Sequence, residues 1–275
     1  MSNIWSPMLC HRLDKHWKKA NYLCYTQPKL DGVRCINVPG EGFYSRNGKK
    51  ILGVPHIEKM IAKTALGKMK LDGELFADDL SFNDIQSTVC RTKNIVVNNR
   101  IRYWIFDVNC DMQQVERSNM LREAWDQACL DHSTLHNYAH LLLCDVCHDR
   151  DDIDAQLQHY VNMGYEGLIY RNIYGFYEEK RSYNLMKLKP TRQAILEVVG
   201  FVDGKGKHKN TLGSLQCIDK KGIVTFVGSG LSDDDRDVIW SDKECYYGCK
   251  IVVEYQEKTP TGALRFPTFK QFIFV

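Results

Sequence analysis

The chain predicts an α+β fold in two parts, a larger mixed domain over residues 1–189 and a small all-β domain over 190–275. Three observations predict it. Up to Lys189, runs of strand character (22–25, 33–38, 71–76, 101–108, 166–170 and 184–188) alternate with segments of helical spacing (54–69, 82–89, 115–130 and 152–163). After Pro190 the texture changes to short β-rich runs, at 195–201, 212–218, 223–228, 250–256 and 268–274, broken by glycine and charge clusters and by one helical interruption from Ser232 to Ile239. Five such strands fit a small five-stranded barrel. Finally, 275 residues with 44% hydrophobic and 26% charged side chains suit one large or two modest globular domains, each with its own core.

Taken in order, the chain opens on a basic leader, in which Arg12, Lys15, Lys18 and Lys19 surround Trp17. This reads either as a solvated helix face or as a contact to a phosphate backbone. The strands at 22–25 and 33–38 flank Lys29 and set it at a strand-to-strand turn. Phe43-Tyr44-Ser45 runs into Arg46-Asn47-Gly48, where Asn-Gly signals a hairpin and leaves a forked guanidinium at its tip. A helix follows, with Ile57, Met60, Ile61 and Ala65 on one face and Pro55 in its first turn. The strand 71–76 carries Glu74, and 101–108 carries Phe106, an aromatic that reads equally as core. Gly164 stops the last helix of the domain. In the strand 184–188, Lys187 and the following Lys189 lie two apart, so both project from one face. Two lysines on one face of an apolar strand are costly unless an anion sits there, or the strand is a solvated edge. In the second domain Gly204-Lys205-Gly206-Lys207-His208-Lys209 is a basic loop, either a phosphate contact or a solvated hairpin tip.

Composition bounds the function. The net charge is +3, from 37 basic and 34 acidic side chains, so any nucleic-acid contact must come from local patches. Eleven cysteines, odd in number and scattered, with no signal peptide ahead of them, predict free thiols in an intracellular, reducing compartment such as the cytoplasm. Cys144 and Cys147 with Cys245 and Cys249 could form a zinc site, but the pairs lie in different predicted domains and read better as ordinary thiols. His132, His136 and His140 read as loop histidines, and no apolar run is long enough to span a membrane.

The chemistry centres on Lys29-Leu30-Asp31-Gly32-Val33-Arg34. Apolar neighbours would part-bury the lysine and lower its pKa, which is how a lysine becomes a nucleophile. At the ordinary value of about 10.4, a lysine at neutral pH is deprotonated only about once in a thousand molecules, a handicap of roughly 4 kcal/mol. By itself the hexamer could be a surface turn. Downstream, however, come Ser45-Arg46-Asn47-Gly48, Leu71-Asp72-Gly73-Glu74-Leu75, Trp104-Ile105-Phe106-Asp107, Glu166-Gly167-Leu168-Ile169 and Met186-Lys187-Leu188-Lys189, in that order. With these the chain resembles the covalent nucleotidyltransferases, and among them the small ATP-dependent DNA ligases of viruses and bacteriophages, over nearly its whole length.

The resemblance implies an ATP-grasp-like nucleotidyltransferase (adenylation) domain at 1–189 followed by an OB-fold at 190–275. It implies that Lys29 attacks the α-phosphate of ATP to give a lysyl-AMP adduct. Arg34 and Glu74 would contact the ribose, Phe106 would stack on adenine, Gln27 would read the adenine edge, and Lys187 and Lys189 would grip the α-phosphate. Glu166, with Asp31 nearby, would hold Mg²⁺ or Mn²⁺. Arg46 would contact the nick 5′-phosphate or the nucleotide, Lys205, Lys207 and Lys209 the DNA backbone, and the partner would be nicked duplex DNA met by a monomer. The family usually closes on an arginine, a proline and a basic stretch. Leu264-Arg265-Phe266-Pro267 matches its opening without the final basic pair, which leaves Arg265 as the candidate for orienting pyrophosphate, with Lys258 or Lys270 beside it. No separate N-terminal DNA-binding domain and no clamp insert in the barrel are expected. Three other readings stay open: a GTP-using mRNA capping enzyme, an RNA ligase, and an inactive nucleic-acid-binding module. Nucleotide preference separates the first, end-joining of RNA the second, and a decayed motif would mark the third.

Overall fold

The computed structural model describes residues 4–259 and 261–273, and the chain divides into two compact units, 1–189 and 190–275. In chain order the first unit holds β1 (Leu9–Arg12), β2 (Cys24–Lys29), β3 (Val33–Val38), β4 (Gly42–Ser45), α1 (Pro55–Lys63), β5 (Leu71–Phe76) and α2 (Phe82–Val89). It continues through β6 (Arg102–Val108), α3 (Gln114–Asp131), β7 (Ala139–Leu141), β8 (Asp145–Cys147), α4 (Arg150–Asn162), β9 (Gly167–Asn172) and β10 (Arg181–Leu188). Two five-stranded sheets result, ordered β1-β10-β9-β2-β8 and β4-β3-β5-β6-β7. The chain crosses from one sheet to the other at Leu30-Asp31-Gly32, so Lys29 closes a strand at the crossing point.

The alternation of each strand divides its side chains between an apolar core and a polar cleft. In the first sheet Leu168, Tyr170, Met186 and Leu188 face a core completed by Ile153 and Tyr160 of α4. Their neighbours Ile169, Arg171, Leu185 and Lys187 line a cavity on the other face. In the second sheet Leu71, Leu75, Tyr103 and Ile105 pack on α1, α2 and α3 through Ile57, Ile61, Ile85, Val89, Leu121 and Trp125. Asp72, Glu74 and Phe106 are left on the opposite side.

Helix ends follow sequence chemistry. Pro55 opens α1, Ser81 accepts a hydrogen bond from Asp84 N at α2, and Gln113 with Glu116 forms a capping box on α3. The helical pattern over 54–69 resolves into two pieces. Thr64 adopts extended backbone (φ −96°, ψ 166°) and turns its hydroxyl onto Ile61 O at 2.8 Å, so α1 ends and a single 3-10 turn carries Ala65–Lys68. The basic leader is not a helix face; it is β1 followed by two short 3-10 turns, because β1 pairs in parallel with β10. The histidine segment is likewise structured, with His136 in a 3-10 turn and His140 on β7.

The second unit contains β11 (Arg192–Asp203), β12 (Leu212–Ile218), β13 (Val224–Val227), α5 (Asp233–Ser241), α6 (Lys243–Tyr246), β14 (Lys250–Tyr255), β15 (Glu257–Lys258), β16 (Leu264–Arg265) and β17 (Thr268–Ile273). Its five-stranded antiparallel sheet runs β13-β12-β11-β14-β17. Among the described residues the two sides approach through one bridge, Ser229 to Thr268, so the sheet is curled and OB-like without a closed ladder between them. Leu196, Val198, Leu215, Val227, Ile251 and Val253 form its core, with Ile239 of α5 packed among them. Phe274 of the expected last strand lies outside the described residues.

Gly73 on β5 is required by a close approach. A Cβ there would stand 2.5 Å from the Tyr103 ring and 2.6 Å from Trp104 O. Gly73→Ala should cost about 1–3 kcal/mol by overpacking, read as a lowered midpoint in urea with an unchanged m-value.

Candidate active site

The cleft between the two sheets of the first unit holds a cavity of about 230 Å³. Lys29, Arg34, Arg46, Arg171, Arg181 and Lys187 reach its wall against a single carboxylate, Glu74. Phe106, Leu142, Ile169 and Leu185 supply an apolar side. Lys29, Arg34 and Arg171 have carboxylate partners behind the wall, in Glu166, Asp72 and Asp107, which leaves Arg46, Arg181 and Lys187 as the surplus positive charge beside an apolar side, a lining suited to an anion that carries an apolar group.

Lys29 Nζ is ion-paired with Glu166 Oε2, and Lys189 Nζ with Glu166 Oε1. Burial works to raise the Glu166 carboxyl, but Lys29 and Lys189 outweigh it and hold the group below the usual carboxylate range. The sequence-based expectation for Lys29 was activation by burial. In the structure its partner is the Glu166 carboxylate. Lys187 lines the cavity, whereas Lys189 stands just beyond β10 on Glu166.

Phe106 is placed by a β-bulge. Asp72 pairs with Asp107 and Gly73 with Ile105, which makes Phe106 the extra residue between them. It therefore turns into the cavity, half-buried, and is not a core residue. Its ring is approached by two guanidiniums, Arg34 at 4.7 Å and Arg171 at 5.3 Å.

A network of buried charges fixes this wall. Arg34 grips Asp72 with two hydrogen bonds, Nε to Oδ1 at 2.6 Å and Nη2 to Oδ2 at 2.5 Å. The Tyr177 hydroxyl donates to Asp72 Oδ2 at 2.6 Å and accepts from Met8 N at 3.0 Å. Asp107, 1% exposed, takes Arg117 Nε at 2.8 Å and Arg171 Nη1 at 2.6 Å. Burial acts to raise the Asp107 carboxyl, and the two guanidiniums override it and hold it low.

Gln27 is drawn into the same network. Arg171 Nε donates to its Oε1 at 2.7 Å, and its Nε2 donates to Leu142 O at 2.8 Å. With a partner at each end of the amide, Gln27 acts as a strut in the cavity wall.

Glu74 lies deep in the cleft, where burial pushes its carboxyl up to about 7 against the pull of Arg34 and Lys29. Asp31 is exposed on the crossing loop and is not in the cavity lining. Among the described residues no group of three or more His, Cys, Asp or Glu side chains could hold a metal ion. Mg²⁺ usually takes one or two carboxylates plus substrate phosphates, so a single carboxylate such as Glu166 is chemically compatible with a cation that arrives with a nucleotide. The cysteines are free thiols, and the two pairs considered for zinc fall in different units.

Of the basic residues considered for DNA contact outside the cavity, the leader lies in the first unit and the 205–209 loop in the second. Lys205, Lys207 and Lys209 are exposed around a 3-10 turn, with Lys207 3.5 Å from Asp233. Arg265 is exposed on β16, its guanidinium 5.4 Å from the Phe266 ring.

Sequence reading missed Asp72, Asp107, Arg117, Arg171, Tyr177 and Arg181. For two of them the signal was present, because Asp72 and Asp107 sit inside the quoted motifs. Arg171 follows Ile169 at strand spacing, the same charged-residue-in-an-apolar-strand pattern that singled out Lys187.

Two outcomes follow from this electrostatics. Asp107→Ala leaves two buried guanidiniums without their carboxylate and should cost about 3–5 kcal/mol in denaturant unfolding. Because the Glu74 pKa is raised in the folded protein, the stability that its neutral form allows is present below about 4.5 and is lost as pH rises through about 7. Glu74→Gln, which keeps the neutral shape, should therefore raise Tm relative to the parent at pH 8 and change it little at pH 4.5.

Comparison with known proteins accords with this site. Residues 7–189 match the family model of the ATP-dependent DNA ligase domain, and residues 203–272 that of the DNA ligase OB-like domain. The DNA ligase of Haemophilus influenzae is 28% identical over 242 residues, covering 88% of this chain and 83% of that protein. The DNA ligase of African swine fever virus (isolate Pig/Kenya/KEN-50/1950) is 27% identical over 256 residues, 85% of this chain but 59% of the viral protein. The chain thus spans under two thirds of that viral relative's length. Among solved structures, Pmar-Lig_PreS3 superposes with a TM-score of 0.79 at 27% identity, covering 98% of this chain and 68% of that one. A structure from the Lig E DNA ligases superposes at 0.72 with 22% identity, covering 98% and 100%, a likeness of fold alone. Since the catalytic-domain model alone matches most of the chain, and both expected motif order and cleft geometry are in place, the chain belongs to the ATP-dependent DNA ligase family.

Proposed function

We propose that this chain seals nicks in duplex DNA in three steps that begin on Lys29. The observation that carries the reading is the cavity itself, where one lysine at a sheet crossing, an aromatic on a bulge and a surplus of cations converge. In the first step Lys29 Nζ, as the free amine, attacks the α-phosphorus of ATP. A nitrogen–phosphorus bond forms, the bond to the bridging oxygen breaks, and pyrophosphate leaves with the electron pair. An oxygen of the nick 5′-phosphate then attacks the adenylate, Lys29 departs and regains its proton, and the 3′-hydroxyl finally displaces AMP.

Phosphoryl transfer depends mainly on positioning and charge neutralisation. Lys187 and Lys189 are assigned to the α-phosphate, Arg46 to the nick 5′-phosphate or the nucleotide, Arg34 and Glu74 to the ribose, and the Phe106 ring to adenine. Glu166 would hold a divalent cation, Mg²⁺ or Mn²⁺, whose chemistry is to neutralise phosphate charge. Lys205, Lys207 and Lys209 would add backbone contacts to DNA, and Arg265 is the candidate for orienting pyrophosphate. The free cysteines support an intracellular setting, and the protein is expected to act as a monomer. No helix among the described residues is long and apolar enough to cross a membrane.

Incubation with α-labelled ATP and magnesium, followed by a denaturing gel, tests the reading. The chain should take up label covalently from ATP and not from GTP, and Lys29→Ala should abolish labelling while its circular dichroism stays unchanged. Label on the alanine variant would remove Lys29 from the reaction, and preference for GTP would move the protein to capping chemistry. Lys187→Ala should slow adenylation by more than 100-fold, roughly 3 kcal/mol of transition-state stabilisation.

A further inference from the structure

The face of β6 that presents Phe106 to the nucleotide cavity continues away from it. Trp104 and Arg102 stand two and four residues earlier on the same strand, and residues two apart share a face at about 7 Å spacing. Register sets Trp104 opposite Glu74, Arg102 opposite Phe76, and His140 of β7 beside Trp104. Phe76, Trp104 and Arg102, with Asn99 and Arg100, line a second cavity of about 300 Å³. Since Glu74 lines the first cavity and pairs with Trp104 of the second, the two are neighbours on one sheet face.

The chemistry of this second cavity has no use in the adenylation steps above. The Trp104 ring is held edgewise by Phe76, at 6.2 Å and 69°, and tilted against His140 at 4.7 Å. Arg102 Nε is buried and has no hydrogen-bond partner, an uncommon state for a buried donor. Two aspartates lie at the exposed rim, and Asp79 is already neutralised by Arg100 at 2.6 Å. An aromatic platform beside an arginine is how proteins hold a single nucleotide, with the ring under the base and the guanidinium on the phosphate.

We propose that this cavity is a nucleotide subsite, taking the nucleotide of the nicked strand next to the adenylated end, with its base on Trp104 and its phosphate on Arg102. The inference rests on the nick-sealing reading and deepens it. A nucleic-acid strand is favoured over ATP because base and phosphate are both accommodated here, while an adenine already has its place at Phe106.

The test uses the full chain, converted to lysyl-AMP, and a nicked duplex with a 5′-phosphate. Arg102→Gln should weaken binding of that duplex roughly tenfold and reduce the slope of log affinity against log salt by about 0.9, as for one lost phosphate contact. Trp104→Ala should also cost roughly tenfold, while Trp104→Phe, which keeps a stacking face, should stay within about threefold. Lysyl-AMP formation should be unchanged in each variant. Should Trp104→Ala fail to fold, Arg102→Gln and Trp104→Phe still decide, because Arg102 is half-buried and Phe preserves the packing. Unchanged affinity and salt slope in folded Arg102→Gln would overturn the subsite, and so would a change confined to the KM for ATP. A parent protein that forms lysyl-AMP yet does not bind the nicked duplex would instead overturn the nick-sealing reading, and the subsite with it.

Discussion

The site depends on one buried carboxylate. Asp107 belongs to the second sheet, Arg171 to the first and Arg117 to α3, and the ion pairs among them fix the facing sides of the sheets. Each sheet has its own apolar core on its far side, so hydrophobic burial stabilises the sheets separately and leaves their polar faces opposed. Gln114 Oε1 accepts from both guanidiniums, at 2.6 and 3.2 Å, and Arg117 Nη1 reaches Met112 O and Gly175 O. Satisfied in this way, the cluster avoids most of the penalty for burying charge. It also leaves the cleft in a single geometry, since any shift between the sheets would leave several donors unpaired at once.

The functional side chains are set by this network more than by their own strands. Arg171 holds Gln27 on one side and approaches the Phe106 ring on the other. Arg34 approaches the same ring while clamped to Asp72, and Tyr177 ties Asp72 to the backbone just before β1. The segment leading into β1 is therefore part of the cavity wall: Trp5 packs on Tyr177 and covers Ile36 and Val38, while Leu9 and Cys10 line the cavity.

Much of the fold was legible because its signals are local. Strand alternation, Pro55 at a helix start, Asn47-Gly48 at a hairpin and the change of texture at Pro190 each depend on a few adjacent residues. The motif order likewise pointed to Lys29, Arg34, Arg46, Glu74, Phe106 and Lys187, which the structure brings to one cavity. What sequence could not give is long-range pairing. β1 exists because β10 lies beside it, and its short basic sequence has no strand signature of its own. The bulge that turns out Phe106 arises from a register shift between β5 and β6, visible only once the strands are paired. The role of Gln27 as a strut required knowing that Arg171, 144 residues away, would occupy its carbonyl oxygen.

The lysine proposed as nucleophile is not simply buried among apolar neighbours, because Glu166 pairs with it. Lys29 and Lys189 share this carboxylate and hold it below the usual carboxylate range against its burial. Under the proposed reaction, nucleotide phosphates would compete with Glu166 as partners of these lysines. Binding energy from the base and phosphates would then go into parting Lys29 from Glu166 as the α-phosphate arrives, and energy used in that way raises the rate of the chemical step and not only the affinity.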